Sequence, residues 1–121
     1  MKQVLLSLEL EGLPPTVNHL YRSTSSGRRY KTASGREYQE QVSNDIAKWC
    51  GDREVYTGAV ELRILFETEN HRRWDIDNRV KALQDCLTMA GVLKDDRQVD
   101  ILHVERRNTG RSRTHLTVIG L

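Results

Sequence analysis

A helical pattern of apolar residues near the middle of the chain limits its possible folds more than any other feature. Five apolar residues recur there at steps of four, three, four and three: Ile76, Val80, Leu83, Leu87 and Ala90. This spacing places them on one side of a helix, which therefore needs an apolar surface to pack against. Gly91 is a typical helix end. The sequence predicts a helix over residues 77–90, about 21 Å long, with one buried face.

Strand patterns flank this helix on both sides. Residues 4–10 and 60–66 alternate apolar and polar side chains with the period of a half-buried strand. The apolar positions are Val4, Leu6, Leu8 and Leu10 in the first strand and Val60, Leu62, Ile64 and Phe66 in the second. Residues 98–106 and 115–121 are interpreted as two more strands, joined by a turn at 108–113. We expect these last two strands to form a terminal hairpin.

A second helix is predicted between the first two strands. Ser34-Gly35-Arg36-Glu37 fits the capping box that begins many helices. One face of this helix carries large side chains: Tyr38, Val42, Ile46 and Trp49. Gly51 ends it. Residues 16–33, which are rich in Ser, Thr, Gly and Arg, are interpreted as a long mobile loop.

The predicted elements follow one another in the order β-α-β-α-β-β. Both helices connect strands, so the economical arrangement is a small mixed β-sheet with two principal helices packed against it. We therefore expect an α+β fold. A length of 121 residues suits one domain that spans residues 1–121.

Basic residues occur in groups. The net charge is only +2, but five basic residues and no acid lie between Tyr21 and Arg36. Further groups occur at residues 71–73 and 106–113. Grouped Lys and Arg neutralise phosphates and supply much of a protein's affinity for DNA, although any one such group is also typical of a solvated loop. Three groups together favour a polyanionic partner.

The cellular compartment is predicted from the cysteines and from the lack of long apolar runs. No run approaches the roughly 20 apolar residues needed to cross a bilayer, and the N-terminus lacks the pattern of a secretory signal. Cys50 and Cys86 lie in helical segments without a pairing pattern, which indicates reduced thiols. We expect a cytoplasmic protein with no membrane partner.

Acidic residues lie at both ends of the helix predicted over 77–90. Asp75 precedes it and Asp77 begins it. Residues i and i+2 of an extended segment point to the same side, about 7 Å apart, so both carboxylates can face one cation if Asp75 is still extended. A helix needs only one cap, so the second acid favours a binding function over capping alone. Asp95 and Asp96 follow the helix. To reach the same ion, they must return through residues 92–98 or come from a partner subunit.

The candidate ligands are all carboxylates. Oxygen ligands without His or thiol groups suit Mg²⁺ or Mn²⁺, and such an ion activates water and polarises a phosphoryl oxygen. Lys81, one helical turn after Asp77, is placed to stabilise charge on a phosphate, and the alternative is an ordinary Asp–Lys helix pair. The sequence contains no glycine-rich phosphate loop, G-x-S-x-G motif or zinc spacing.

Several motifs combine these residues. They are Arg72-Arg73-Trp74-Asp75-Ile76-Asp77-Asn78, Lys81-Ala82, Asp85-Cys86-Leu87-Thr88 and Ala90-Gly91-Val92-Leu93-Lys94-Asp95-Asp96-Arg97-Gln98-Val99. Together they resemble the core of the RusA-type Holliday-junction resolvases. Pro14-Pro15-Thr16-Val17-Asn18 and Tyr21-Arg22 resemble the N-terminal half of that family, so the similarity spans nearly the whole chain.

The resemblance implies a homodimeric, Mg²⁺-dependent crossover junction endodeoxyribonuclease that nicks two opposed strands of a four-way junction. It maps the family's metal-binding catalytic aspartates onto Asp75, Asp77 and Asp96 and its catalytic lysine onto Lys81. Asp95 is a further candidate ligand. The family often has a basic residue where this chain has Trp74.

The candidate DNA-binding residues are Asn18, Arg22, Arg28, Arg29, Lys31, Arg72 and Arg73. A dimer also follows from a count, because two cuts are needed and each chain holds one acidic site; twofold symmetry matches that of the junction. Two alternatives remain open at this point. One is a non-catalytic module that binds branched DNA, and the other is a metal-dependent nuclease for flaps, forks or RNA.

Overall fold

The computed structural model describes residues 2–121 and contains one four-stranded mixed sheet. Its strands are β1 (Gln3–Glu11), β4 (Val60–Thr68), β5 (Val99–Asn108) and β6 (Arg113–Gly120), in the spatial order β1-β6-β4-β5. β6 pairs antiparallel with both β1 and β4, whereas β5 pairs parallel with β4. The parallel pair follows from a helix that connects β4 to β5, because parallel neighbours need a long crossover.

Two principal helices and the sheet enclose one apolar core. The helices are α2 (Ala33–Cys50) and α3 (Val80–Met89), which pack against each other. Their buried residues join those of the sheet in a single cluster that includes Ile46, Leu83 and Phe66. The expected α+β class and the β-α-β-α-β-β order of the main elements are therefore confirmed. For residues 2–121, no helix is long and apolar enough to cross a membrane.

The chain between β1 and α2 is ordered, so the prediction of a long mobile loop over residues 16–33 was wrong. It contains a short helix, α1 (Val17–Leu20), and a hairpin of β2 (Tyr21–Ser23) and β3 (Arg29–Lys31). Leu20 is fully buried. The amide of Thr32 donates to the carbonyl of Leu20 at 3.0 Å, which fixes the hairpin to the start of α2. Short-range patterning missed this hairpin because its strands have only three residues each.

The expectation that the last two strands form a terminal hairpin was also wrong, because β4 lies between β5 and β6. Residues 109–112 connect β5 to β6 by passing over the end of β4. There the amides of Thr109 and Gly110 both donate to the carbonyl of Thr68 at 3.1 Å. A central position suits β4, because Val60, Leu62, Ile64 and Phe66 are all buried, as predicted, and Glu61 on the other face is buried as well.

Two details of the first strand and helix differ from prediction. A register shift between Val4 and Leu6 interrupts the alternation of β1, which leaves Val4 54% exposed while Leu5 and Leu6 are both buried. The cap of α2 is Thr32, two residues before the predicted cap Ser34, and its hydroxyl accepts from the amide of Gly35 at 3.0 Å.

The faces of the helices are largely as predicted. Val42 and Ile46 are buried, but Trp49 is 44% exposed near the end of α2, which Gly51 terminates as expected. The second helix opens with a 3-10 turn, Ile76–Arg79, that leaves Ile76 36% exposed. The predicted inward orientation of Ile76 was therefore wrong, because a 3-10 turn changes the angle between successive side chains. Both cysteines are free thiols, as expected.

The core contact of α3 can be tested with a matched pair of leucines. Leu83 is fully buried in α3, whereas Leu102 in β5 is 47% exposed. Leu83→Ala is expected to lower the free energy of unfolding by about 2–5 kcal/mol, because it leaves a cavity in the core. Chemical denaturation measures this loss, and Leu102→Ala should cost much less. Equal losses would contradict the core described above.

Candidate functional site

The exposed side of α3 carries the polar groups that the structure brings together. The ammonium of Lys81 lies 2.9 Å from Oδ1 of Asp85, four residues further along the helix, and 2.9 Å from Oδ2 of Asp96. The hydroxyl of Thr88 donates to the other carboxylate oxygen of Asp96 at 3.2 Å. Lys81 is thus held between two carboxylates. Hydrogen bonds to Asp85 and then to Asp96 raise the pKa of Lys81 above its ordinary value.

Asp96 reaches Lys81 because the chain folds back after α3. Gly91, with φ of 79°, lets the chain leave the helix, and Val92 and Leu93 are buried beneath the returning segment. The side chain of Gln98 then fixes this segment: it accepts from the amides of Lys94 and Asp95 and donates to the carbonyls of Tyr56 and Gly58. The segment therefore brings Asp96 back to Lys81 and Thr88 on α3, whereas its predicted approach to Asp75 and Asp77 stays a prediction.

Asp75 and Asp77 lie at the other end of the helix. Asp75 is in extended conformation, as predicted, and its side chain forms no capping hydrogen bond. Both aspartates are exposed. Lys81 pairs with Asp85 and Asp96 rather than with Asp77. Within residues 2–121, no three His, Cys, Asp or Glu side chains stand close enough to hold one metal ion. The ligand set Asp75, Asp77 and Asp96 therefore stays a prediction.

Asp95 has a structural function that the sequence had not distinguished from metal binding. It caps a 3-10 turn, Asp96–Gln98, by accepting from the amide of Arg97 at 2.8 Å. The guanidinium of Arg97 also donates to both of its carboxylate oxygens, at 3.1 Å each. These hydrogen bonds lower the pKa of Asp95. Asp95 points at Arg97, whereas Asp96 points at α3.

Asp85 is the residue that sequence reasoning missed, although it lies in one of the motifs. Its side chain is 14% exposed. Its Oδ2 accepts from the hydroxyl of Tyr21 at 3.1 Å and from the side-chain amide of Gln39 at 3.2 Å. Burial and the nearby Asp85 carboxylate raise the pKa of Tyr21. The only sequence signal was an acid four residues after Lys81, at the border of the apolar face.

Comparison with known proteins identifies the family. A family model described as endodeoxyribonuclease RusA matches residues 11–119. The chain belongs to the endodeoxyribonuclease RusA family. The crossover junction endodeoxyribonucleases RusA of Escherichia coli K12 and of Enterobacteria phage 82 are each 36% identical to it over 106 residues, which are 87% of either chain. The protein of that name from Enterobacteria phage HK97 is 31% identical over 94 residues, 77% of this chain and 76% of the relative.

In this RusA-family chain, the predicted DNA-binding residues occupy two regions. Arg22, Arg28 and Arg29 are exposed on the β2–β3 hairpin, and Asn18 is exposed on α1. Lys31, by contrast, turns inward and donates to the side chain of Gln39 at 2.6 Å. The hairpin therefore presents three of its cations to solvent and uses the fourth to contact α2.

The second region surrounds Trp74, which directly precedes Asp75. The guanidinium carbons of Arg79 and Arg106 lie 4.7 Å and 5.1 Å from the centre of its indole ring. Arg72 and Arg73 are exposed and line an adjoining cavity of about 420 Å³ together with Trp74 and Arg79. Positive charge is thus present around the indole, supplied by side chains from elsewhere in the chain.

The capping function of Asp95 predicts a difference between two substitutions. Asp95→Ala removes the oxygen that accepts from the Arg97 amide and should lower Tm by a few degrees, because that donor loses its partner. Asp95→Asn keeps an accepting oxygen and should lose less. Thermal unfolding followed by circular dichroism measures both. If the two variants were equally destabilised, the cap would not be the source of the effect.

Proposed function

We propose that this chain is a crossover junction endodeoxyribonuclease that binds four-way DNA junctions and resolves them by paired, symmetric nicks. The observation that carries the proposal is the placement of Lys81 between Asp85 and Asp96 in a chain of the RusA family. Relatives of similar length bear that name. A protonated lysine beside carboxylates, with exposed arginines nearby, suits hydrolysis of a phosphodiester.

The residues divide this chemistry among them. The Lys81 ammonium is oriented to stabilise the negative charge that develops on the scissile phosphate. Asp75, Asp77 and Asp96 are proposed to hold Mg²⁺, with Mn²⁺ as a substitute, because carboxylate oxygens suit these ions. The ion, when bound, lowers the pKa of a water molecule and polarises a phosphoryl oxygen. Asp95 is left out of this set because Arg97 already occupies both of its oxygens.

Assembly of the full ligand set requires more than the resting arrangement of a single chain. Asp77 lies in the 3-10 turn before α3, whereas Asp96 contacts Lys81 and Thr88 of that helix. Within the described residues 2–121, no three His, Cys, Asp or Glu side chains stand close enough to share one ion. Movement on binding DNA and metal, or a contribution from a partner subunit, supplies the missing approach. A homodimer also fits the two cuts that resolution requires, since each chain has one Lys81 and a twofold axis places two sites symmetrically.

Exposed arginines are proposed to bind the junction. Those of the β2–β3 hairpin (Arg22, Arg28 and Arg29) and those beside Trp74 (Arg72 and Arg73) contact the DNA backbone. Such contacts provide affinity without base recognition, which suits an enzyme that recognises the shape of a branch.

Substitution of the three aspartates tests the catalytic proposal. Asp75→Asn, Asp77→Asn and Asp96→Asn should each abolish cutting of a labelled four-way junction in Mg²⁺. Binding measured in Ca²⁺ or without metal should be unchanged or tighter, because each variant removes a negative charge that repels DNA. Calorimetric titration with Mn²⁺ should show lost or weakened binding in all three.

Asp45→Asn is the matched control, because Asp45 is exposed on α2 and should leave cutting unchanged. Forks, flaps and RNA hairpins should be digested beside the junction. Faster cutting of one of these would assign a different substrate, and wild-type binding of the junction without any product would indicate a non-catalytic module.

The hairpin arginines can be tested by the salt dependence of binding. The double variant Arg28→Ala/Arg29→Ala should bind the junction more weakly, and the slope of log K against log salt should fall by roughly 1–2, about one per lost phosphate contact. Fluorescence anisotropy across a salt series measures this slope. Lys48→Ala removes an exposed cation from α2 and serves as the control. An unchanged slope in the double variant would exclude the hairpin from the interface.

A further inference from the structure

Asp85 has four polar neighbours and none of the functions assigned so far. Its Oδ1 lies 2.9 Å from the ammonium of Lys81. Its Oδ2 accepts from Tyr21 and Gln39, and Lys31 lies 3.9 Å away. A carboxylate removed from water is tolerated only when its oxygens are satisfied in this way. The two oxygens of Asp85 thus have different partners: Oδ1 contacts Lys81, and Oδ2 contacts the hairpin and α2.

The second oxygen is held by groups that are themselves fixed. Gln39 is fully buried in α2, and its side-chain oxygen accepts from Lys31 at 2.6 Å. The hydroxyl of Tyr21 comes from β2, the first strand of the hairpin. Asp85 therefore has little freedom to rotate. Asp96, the other partner of Lys81, is more exposed, at 31% of its side chain against 14% for Asp85.

We propose that Asp85 is a positioning residue that holds the Lys81 ammonium in its reactive place and links it to the β2–β3 hairpin through Tyr21. The inference rests on the proposed function, in which Lys81 stabilises the scissile phosphate. Asp85 lies outside the set of proposed metal ligands, so its contact with Lys81 does not compete with metal binding. Asp96 is in that set, which leaves Asp85 as the constant partner of Lys81.

A purely structural function for Asp85 makes a different prediction. If Asp85 only joined α3 to the hairpin, its substitution would harm the protein by the same factor whether or not Lys81 were present. If Asp85 acts through Lys81, the two substitutions must be non-additive. A double-mutant cycle on the cutting rate separates these two functions.

The experiment measures single-turnover cutting of a labelled four-way junction by saturating full-length protein, with Kd determined separately. Asp85→Asn is expected to slow cutting by about tenfold to a hundredfold, because a misplaced catalytic group costs a factor of that order, while Kd is unchanged or tighter. Asp85→Glu restores the charge and should recover part of the rate. In a Lys81→Ala background, Asp85→Asn should cause no further loss. Asp45→Asn is the control for removal of a carboxylate.

A second measurement does not depend on cutting. Labelling of lysines with an amine-reactive reagent, followed by peptide mass spectrometry, should show Lys81 modified several-fold faster in Asp85→Asn than in the wild type. Lys48, exposed on α2, is the internal reference. If Asp85→Asn fails to fold, Tyr21→Phe, which removes one hydrogen bond to Asp85, should show the same pattern with smaller changes.

The outcomes separate this inference from the proposed function. If the wild-type protein cuts the junction and Asp85→Asn cuts it at the same rate, the positioning function is overturned and the proposed activity stands. The same holds if Asp85→Asn lowers the cutting rate by the same factor with Lys81 present and in the Lys81→Ala background. Unchanged labelling of Lys81 would overturn it as well. A wild-type protein that cuts no branched DNA would overturn the proposed activity instead, and the labelling rate would then decide whether Asp85 holds Lys81.

Discussion

The burial of one face of α3 is the constraint on which the arrangement of the candidate site depends. Val80, Leu83, Cys86 and Leu87 lie in the core with at most 4% exposure. Burial of this face sets the rotation of the helix, so that Lys81 and Thr88 point away from the core and Asp85 lies at the border of the apolar face. Asp96 then docks on this polar side. The placement of these polar groups is therefore a consequence of hydrophobic packing, and the ion pairs add to it.

The crossover from β4 through α3 to β5 explains why the acids occupy separate regions. In such a unit, the helix runs back along the sheet, so residues before it and residues after it lie near opposite ends of the strands. Asp75 and Asp77 belong to the first group and Asp96 to the second. Lys81 bridges part of this separation with its long side chain. This topology is consistent with the absence, within residues 2–121, of three carboxylates close enough to share one ion.

Much of the fold could be predicted because its main elements have strong local patterns. The buried alternation of β4 and the helical spacing of α3 each specify one element without reference to the rest of the chain. The position of β4 between β5 and β6 could not be predicted, since strand order depends on contacts between distant residues. The β2–β3 hairpin was missed for a related reason, because Leu20 and Tyr21 gain their partners only from α2 and α3.

The candidate site shows the same division. Lys81 and Asp96 could be named from the motifs, but Asp85 could not be separated from an ordinary helix pair, because Tyr21 and Gln39 lie 64 and 46 residues away. Asp95 and Asp96 are neighbours in sequence and differ in function only through the turn that Asp95 caps. Sequence patterns thus indicate which residues are candidates for a site, and tertiary contacts determine which function each of two neighbouring residues has.

The place of β6 in the sheet has a consequence for how the chain folds during synthesis. β1 is made first, yet its partner along its full length is β6, more than a hundred residues later. While the ribosome is still translating residues 12–112, β1 has no neighbour to complete its hydrogen bonds. Contacts of such high sequence separation slow folding. The sheet therefore closes only when residues 113–120 have emerged, and the nascent chain must keep β1 from pairing with other strands until then.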